Sequence, residues 1–147
     1  MDKTCYRLPI RFDKLLNEEG GDLAKCSELE SIDQHIELLL TTCPGENKFD
    51  RDWGCHIWDM DFERVVSRST WEKDFNSHIL AAIQKYEKRI NDIIVEIEIH
   101  EVTREDYALQ TTAIKKRITV NVNAILISNN KKCSFKYILY LGPLSVE

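Results

Sequence analysis

The stretch ITVNVNAILISNNKKCSFKYILYL, residues 118–141, decides the fold. Apolar residues recur at every second position: Ile118, Val120, Val122, Ala124 and Leu126, then Phe135, Tyr137, Leu139 and Leu141. Successive side chains of a strand point to opposite faces, so each run offers one apolar face and one mostly polar face. Between the runs, Ser128-Asn-Asn-Lys-Lys132 reads as a tight turn, because asparagine tolerates the left-handed backbone such turns need. The stretch is a β-hairpin with strands over 116–128 and 133–141.

A third strand precedes it. From Ile94 to Val102, Val95, Ile97 and Ile99 point one way and Glu96, Glu98 and His100 the other. The polar segment Thr103 to Thr112 then reads as a long connection.

Upstream the apolar period changes. Trp71, Phe75, Ile79, Ala82, Ile83, Tyr86 and Ile90 form a helical stripe, opened by a capping box at Ser69-Thr-Trp-Glu72 and closing near Asn91. Ile32, Ile36, Leu39 and Leu40 mark an earlier, shorter helix. Ser31-Ile-Asp-Gln34 has the capping-box form at its start, and Pro44-Gly45 stops it near Cys43. Residues 44–69 read as mostly irregular, with a half-turn of helix between Ile57 and Val66. Tyr6, Leu8, Ile10 and Phe12 alternate, but Pro9 restricts them to an edge strand or an extended arm, and NEEGGD (17–22) is a loop.

The expected class is α+β: an antiparallel sheet of three to four strands with two main helices packed on one face. Residues 1–27 form an N-terminal arm and loop, and 28–147 a single domain.

The bulk numbers narrow the function. The chain has 147 residues and a net charge of −5, which argues against a dedicated nucleic-acid binder. No apolar run approaches the ~20 residues of a membrane helix, and Met1–Lys14 lacks a signal-peptide core, so a cytoplasmic protein without membrane insertion is expected. Cys5, Cys26, Cys43, Cys55 and Cys133 are scattered, and read as reduced and mostly buried thiols.

No chemistry-bearing constellation is compelling. Glu46, Asp50, Asp52, Asp59, Asp61 and Glu63 crowd one loop, but a glycosidase needs two carboxyls at a defined separation with one pKa raised. Cys55-His56 is too small a set for structural zinc, and neighbours in an extended segment point apart. No catalytic, metal or cofactor site is expected. Trp53 and Trp58 suit either core packing or an interface anchor, and Glu87 with Arg89 suits a carboxylate–guanidinium pair offered to a partner. Lys115-Lys-Arg117 and Lys131, Lys132 and Lys136 suggest a basic rim along one sheet end.

One order of motifs stands out. An Ile-containing helix ends in Leu38-Leu39-Leu40-Thr41, Gly45-Glu46 follows, then Trp53-Gly54, then a long helix closing on Tyr86-Glu87-Lys88-Arg89-Ile90, then strands. Over residues 28–141 this resembles the baseplate wedge family of contractile tails, which includes a T4-type wedge protein with a lysozyme-like label and TssE of type VI secretion. That family's pattern is LLLT-x-x-GER, an aromatic-glycine pair, and a helix closing on Glu-Pro-Arg-Ile. Here Asn47 stands for the arginine and Lys88 for the proline.

The resemblance implies a structural adaptor and no enzyme. Wedge-core proteins (TssF/TssG-like) would meet Tyr86, Glu87 and Arg89, and sheath subunits (TssB/TssC-like) would add strands at the C-terminal hairpin with Phe135 and Tyr137. Glu46, Trp53 and Trp58 would present a docking surface. Two alternatives are a wedge protein of a phage tail or extracellular particle, and a peptidoglycan hydrolase using Glu46 or Glu63.

Overall fold

The computed structural model describes residues 4–11, 13, 23–60, 68–106 and 111–141. A two-residue ribbon comes first, β1 (Cys5–Tyr6) paired antiparallel with β2 (Lys25–Cys26). Helix α1 (Glu28–Thr41), a short 3-10 turn (His56–Asp59) and helix α2 (Arg68–Tyr86) follow. Strands β3 (Ile90–Asp106), β4 (Thr111–Leu126) and β5 (Lys132–Leu141) close the chain as an antiparallel sheet in the order β3-β4-β5. The class is α+β, with a three-stranded main sheet.

Local chemistry sets most boundaries. Ser27, not Ser31, caps α1: its Oγ accepts from the Glu30 N–H at 3.2 Å, with Glu28 and Glu30 favourably placed in the first turn. Ser31 lies one turn inside the helix, where its hydroxyl serves another bond. At the far end, Thr41 Oγ1 donates to the Glu37 carbonyl (2.8 Å) and Thr42 Oγ1 to the Leu38 carbonyl (2.6 Å). Both hydroxyls bond back onto carbonyls of the last turn. Ser69 falls within α2, so the second capping box is not a start signal. The helix stops at Tyr86, short of Asn91, because Glu87 and Arg89 bind each other and bend the chain into β3.

The expected turn is present: Asn130 takes φ 56°, its N–H donates to the Leu126 carbonyl, and Leu126 N–H donates to the Lys131 carbonyl. The strand ends differ more. Residues 103–106 and 111–112 of the expected connection are strand, since the ladder runs on to Asp106↔Thr111. The described pairing of β5 with β4 reaches Lys116↔Leu141.

The core is one cluster. Ile32, Ile36, Leu39 and Leu40 of α1 and Phe75, Ile79, Ala82 and Ile83 of α2 pack with the inward row Ile118, Val120, Val122, Ala124 and Leu126 of β4. Both helices lie on that face, α2 against β3 and α1 against β5. Each fully buried Ile or Leu contributes roughly 1.5–3 kcal/mol, so this stripe match holds the layers together.

Three expectations change. Only Cys55 among the five cysteines is buried outright; the other four are partly exposed, because they sit on the ribbon, a loop and a strand end outside the central layer. The basic residues form no single rim: antiparallel pairing puts Lys116 and Arg117 opposite Leu141 and Tyr140, and Lys132 opposite Ile125 at the other end of β4. The alternating N-terminal segment makes only a two-residue strand, with Phe12 and the 17–22 loop outside the described residues.

Candidate functional site

The polar centre of the molecule joins the start of α1 to the link between α2 and β3. Glu87 is the first residue after α2 and is only 2% exposed. Its Oε2 meets His35 Nδ1 at 2.7 Å. Arg89 reaches back with a guanidinium fork, Nε to Oε1 at 2.8 Å and Nη2 to Oε2 at 2.9 Å. The Arg89 backbone N–H adds a bond to Oε1 at 3.1 Å, and Arg89 Nη1 donates to Ser31 Oγ at 2.8 Å. Ser31 and His35 stand four residues apart on one helix face, so a single element supplies both contacts.

Burial alone would raise the Glu87 pKa, but hydrogen bonds from His35 and Arg89 outweigh it and hold the carboxyl down at about 2. It is a fixed anion. A glycosidase acid needs the opposite shift. Arg89 stays charged, since the Glu87 hydrogen bonds outweigh desolvation and raise its pKa.

Lys88, at the proline position of the motif, donates through Nζ to the Gln84 carbonyl at 3.1 Å and closes the last turn of α2. The helix therefore stops without a proline.

Trp53 roofs this network. Its ring stands 6.0 Å from the His35 ring and 6.3 Å, edge-on, from Tyr86. Trp58 packs against the core, and its Nε1 donates to the Leu40 carbonyl at 2.8 Å. The loop between them and α1 is ordered by its own backbone. Gly45 (φ 98°) donates to the Arg51 carbonyl at 2.7 Å, and Cys55 N–H to the Thr42 carbonyl at 3.0 Å. Asn47 Oδ1 accepts from Phe49 N–H at 2.9 Å, so the residue in place of the motif arginine pins the loop as an Asx turn.

The residues singled out in the sequence fall into three groups. Glu87, Arg89, Tyr86 and Trp53 come together. Phe135 and Tyr137 are each 7% exposed and face the core, where Tyr137 Oη donates to the Asp33 carbonyl at 3.2 Å. Glu46 is exposed on the loop, away from any buried partner, and Asp61 and Glu63 lie outside the described residues. His56 pairs with Asp59 at 2.8 Å across one 3-10 turn. Among the described residues, no group of three or more His, Cys, Asp or Glu side chains could hold a metal ion. His35 was missed. Its signal was positional: a polar residue four after Ser31, on the flank of the buried Ile32–Ile36 stripe.

The sheet has two edges, β3 and β5. Leu126 N–H bonds to the Lys131 carbonyl, and from that pair the ladder alternates along β5. The N–H groups of Ser134, Lys136 and Ile138 therefore point away from β4. On β3 the corresponding outward groups belong to Val95, Ile97 and Ile99, and there Asn76 of α2 already donates to the Val95 carbonyl at 2.8 Å. Helix α2 thus covers part of the β3 edge.

This layout, two helices on a three-stranded antiparallel sheet with an anionic Glu87 clamped at the helix–strand link, is that of a packed scaffold. The chain belongs to the family described as baseplate wedge protein gp25, whose model matches residues 26–131. The baseplate wedge protein gp25 of Enterobacteria phage T4 is 30% identical over 78 residues, 52% of this chain and 56% of the phage protein. The chain thus aligns with little more than half the length of that curated relative. A crystal structure from Geobacter sulfurreducens, described as a tail lysozyme, shares the fold with a TM-score of 0.59 at 22% identity, covering 84% of this chain and all of that one.

Proposed function

We propose that this baseplate wedge protein is a TssE-like adaptor of a type VI contractile machine. It joins wedge-core proteins of the TssF/TssG kind to sheath subunits of the TssB/TssC kind. It acts in the cytoplasm, in a baseplate near the inner membrane, and seeds the sheath by accepting strands. No helix among the described residues is long and apolar enough to cross a membrane. The observation that carries the reading is the β5 edge, whose outward N–H groups offer a ready template for strand addition.

The wedge-core contact would centre on the half-buried Arg89, which Glu87 holds in place, and on Trp53 and Tyr86. Phe135 and Tyr137 would act from behind, as the packed floor that keeps β5 straight. Glu46 and the loop would form the rim.

The T4 relative favours a second reading, in which the same contacts serve a phage tail or an extracellular particle. A peptidoglycan hydrolase draws no support from the one buried carboxyl described, since Glu87 is held ionised.

Affinity purification of the tagged chain from its own cells, with mass spectrometry of the eluate, tests this. Wedge-core and sheath proteins of a secretion machine are expected. Capsid-linked tail proteins would favour the second reading, and a clean monomer in cells that express the machine would overturn both.

A further inference from the structure

The N-terminal arm carries a cysteine pair that nothing above uses. Cys5 and Cys26 stand directly opposite each other in the β1–β2 ribbon. Arg7 N–H donates to the Ala24 carbonyl at 2.8 Å, two residues along the same register. That places Cys5 and Cys26 in a hydrogen-bonded pair, with Cα atoms about 5.5 Å apart. Disulfides form with Cα atoms about 4.4–6.8 Å apart, so the Cα separation lies in range, while the Cβ atoms of a hydrogen-bonded pair, about 5.5 Å apart, must close to about 3.5–4.5 Å for the bond to form. Directly opposed residues also share a face of the ribbon. Partial burial, then the neighbouring Cys5, hold the Cys26 thiol above its ordinary range, so exchange quickens as pH rises.

The arm needs such a fastening. A two-stranded ribbon is marginal in water. Its described ties to α1 include the Leu8 N–H bond to Gln34 Oε1 at 2.9 Å and an exposed Arg7–Glu30 pair at 3.5 Å. Beside them, Leu8 and Pro9 with Gln34, Glu37, Leu38 and Thr41 of α1 line a cleft of about 500 Å³.

We propose that Cys5 and Cys26 form a dithiol site that a disulfide oxidant converts to an intramolecular bond, locking the arm onto the start of α1. The thiolate of one cysteine attacks the oxidant R–S–S–R, forming a protein mixed disulfide and releasing one R–S⁻. The second protein thiol loses its proton and attacks the protein sulfur, forming the Cys5–Cys26 bond and releasing the second R–S⁻. The two protons lost by the protein end on two R–SH. The protein is oxidised by two electrons and the oxidant reduced by the same two. The bond closes the chain between Cys5 and Cys26, so release of Arg7 and Leu8 from α1 gains less entropy.

The native full chain is incubated with glutathione disulfide at pH 8, freed of the oxidant, alkylated in denaturant, digested and mapped by mass spectrometry. The expected product is a Cys5–Cys26 linked peptide, with Cys43, Cys55 and Cys133 alkylated. The Cys26→Ser variant should stop at a glutathione adduct on Cys5. Hydrogen exchange at the Arg7 and Leu8 amides should slow by about tenfold to a hundredfold in the oxidised protein. Persistence of both thiols, a different pairing, or a link that forms only in denaturant would overturn the site. A native link that leaves those amides unchanged would overturn the locking.

Discussion

Glu87 is the one charged residue buried among those described. Its carboxyl titrates near 4.5 when unperturbed and near 2 in the fold, so between those values the unfolded chain binds more protons. The stabilisation is complete above about pH 4.5 and is lost as pH falls towards 2. Its size is on the order of 3 kcal/mol. Urea unfolding at pH 7 and pH 3 should show that loss, and Glu87→Gln should flatten the dependence over this window while lowering stability at pH 7. An unchanged slope in the variant would show that other carboxylates set it. Arg89→Lys keeps the charge but loses the fork, and should cost about 1–2 kcal/mol in the same assay. The sequence displayed Glu87 and Arg89 as neighbours, yet it suggested an exposed pair at a helix end. Their burial depends on Ser31 and His35, more than fifty residues away, and no local pattern reports that distance.

At the scale of elements, the turn after α1 is the tightest junction. Gly54 has φ 137°, and a Cβ there would lie 2.7 Å from the Thr42 carbonyl oxygen, which Cys55 N–H already holds. Gly54→Ala should lower stability by roughly 2–4 kcal/mol, read from the urea midpoint. Ser27→Ala removes the α1 cap and should cost about 1 kcal/mol. Helices and strands were legible because their apolar periods are strong: the Ile32, Ile36, Leu39 and Leu40 stripe and the Ile118–Leu126 alternation both bury as read. Boundaries were less so. Ser27 and Ser31 both suit a cap, and only the tertiary demand of Arg89 for the Ser31 hydroxyl separates them. The Thr103–Thr112 segment misled through its polarity, because backbone pairing does not require apolar side chains: Thr103 and Thr112 both take their places in the β3–β4 register.

Across the whole molecule, the asymmetry between the two sheet edges matters most. Asn76 occupies the Val95 carbonyl on β3, while Ser134, Lys136 and Ile138 turn their N–H groups outward on β5. The motif order disclosed the family, but which edge the described residues leave uncovered follows only from how α2 lies across β3. Ile138 is half exposed and its N–H takes no part in the β4 ladder, so Ile138→Pro should keep the fold and remove one donor from the open edge. The most direct measurement is a comparison of wild type and Ile138→Pro, each tagged and purified from its own cells, with wedge-core and sheath proteins quantified in both eluates. The account predicts equal wedge-core recovery and at least a tenfold loss of sheath, about 1.4 kcal/mol of binding. Sheath recovered equally with both proteins, the variant being folded, would contradict it.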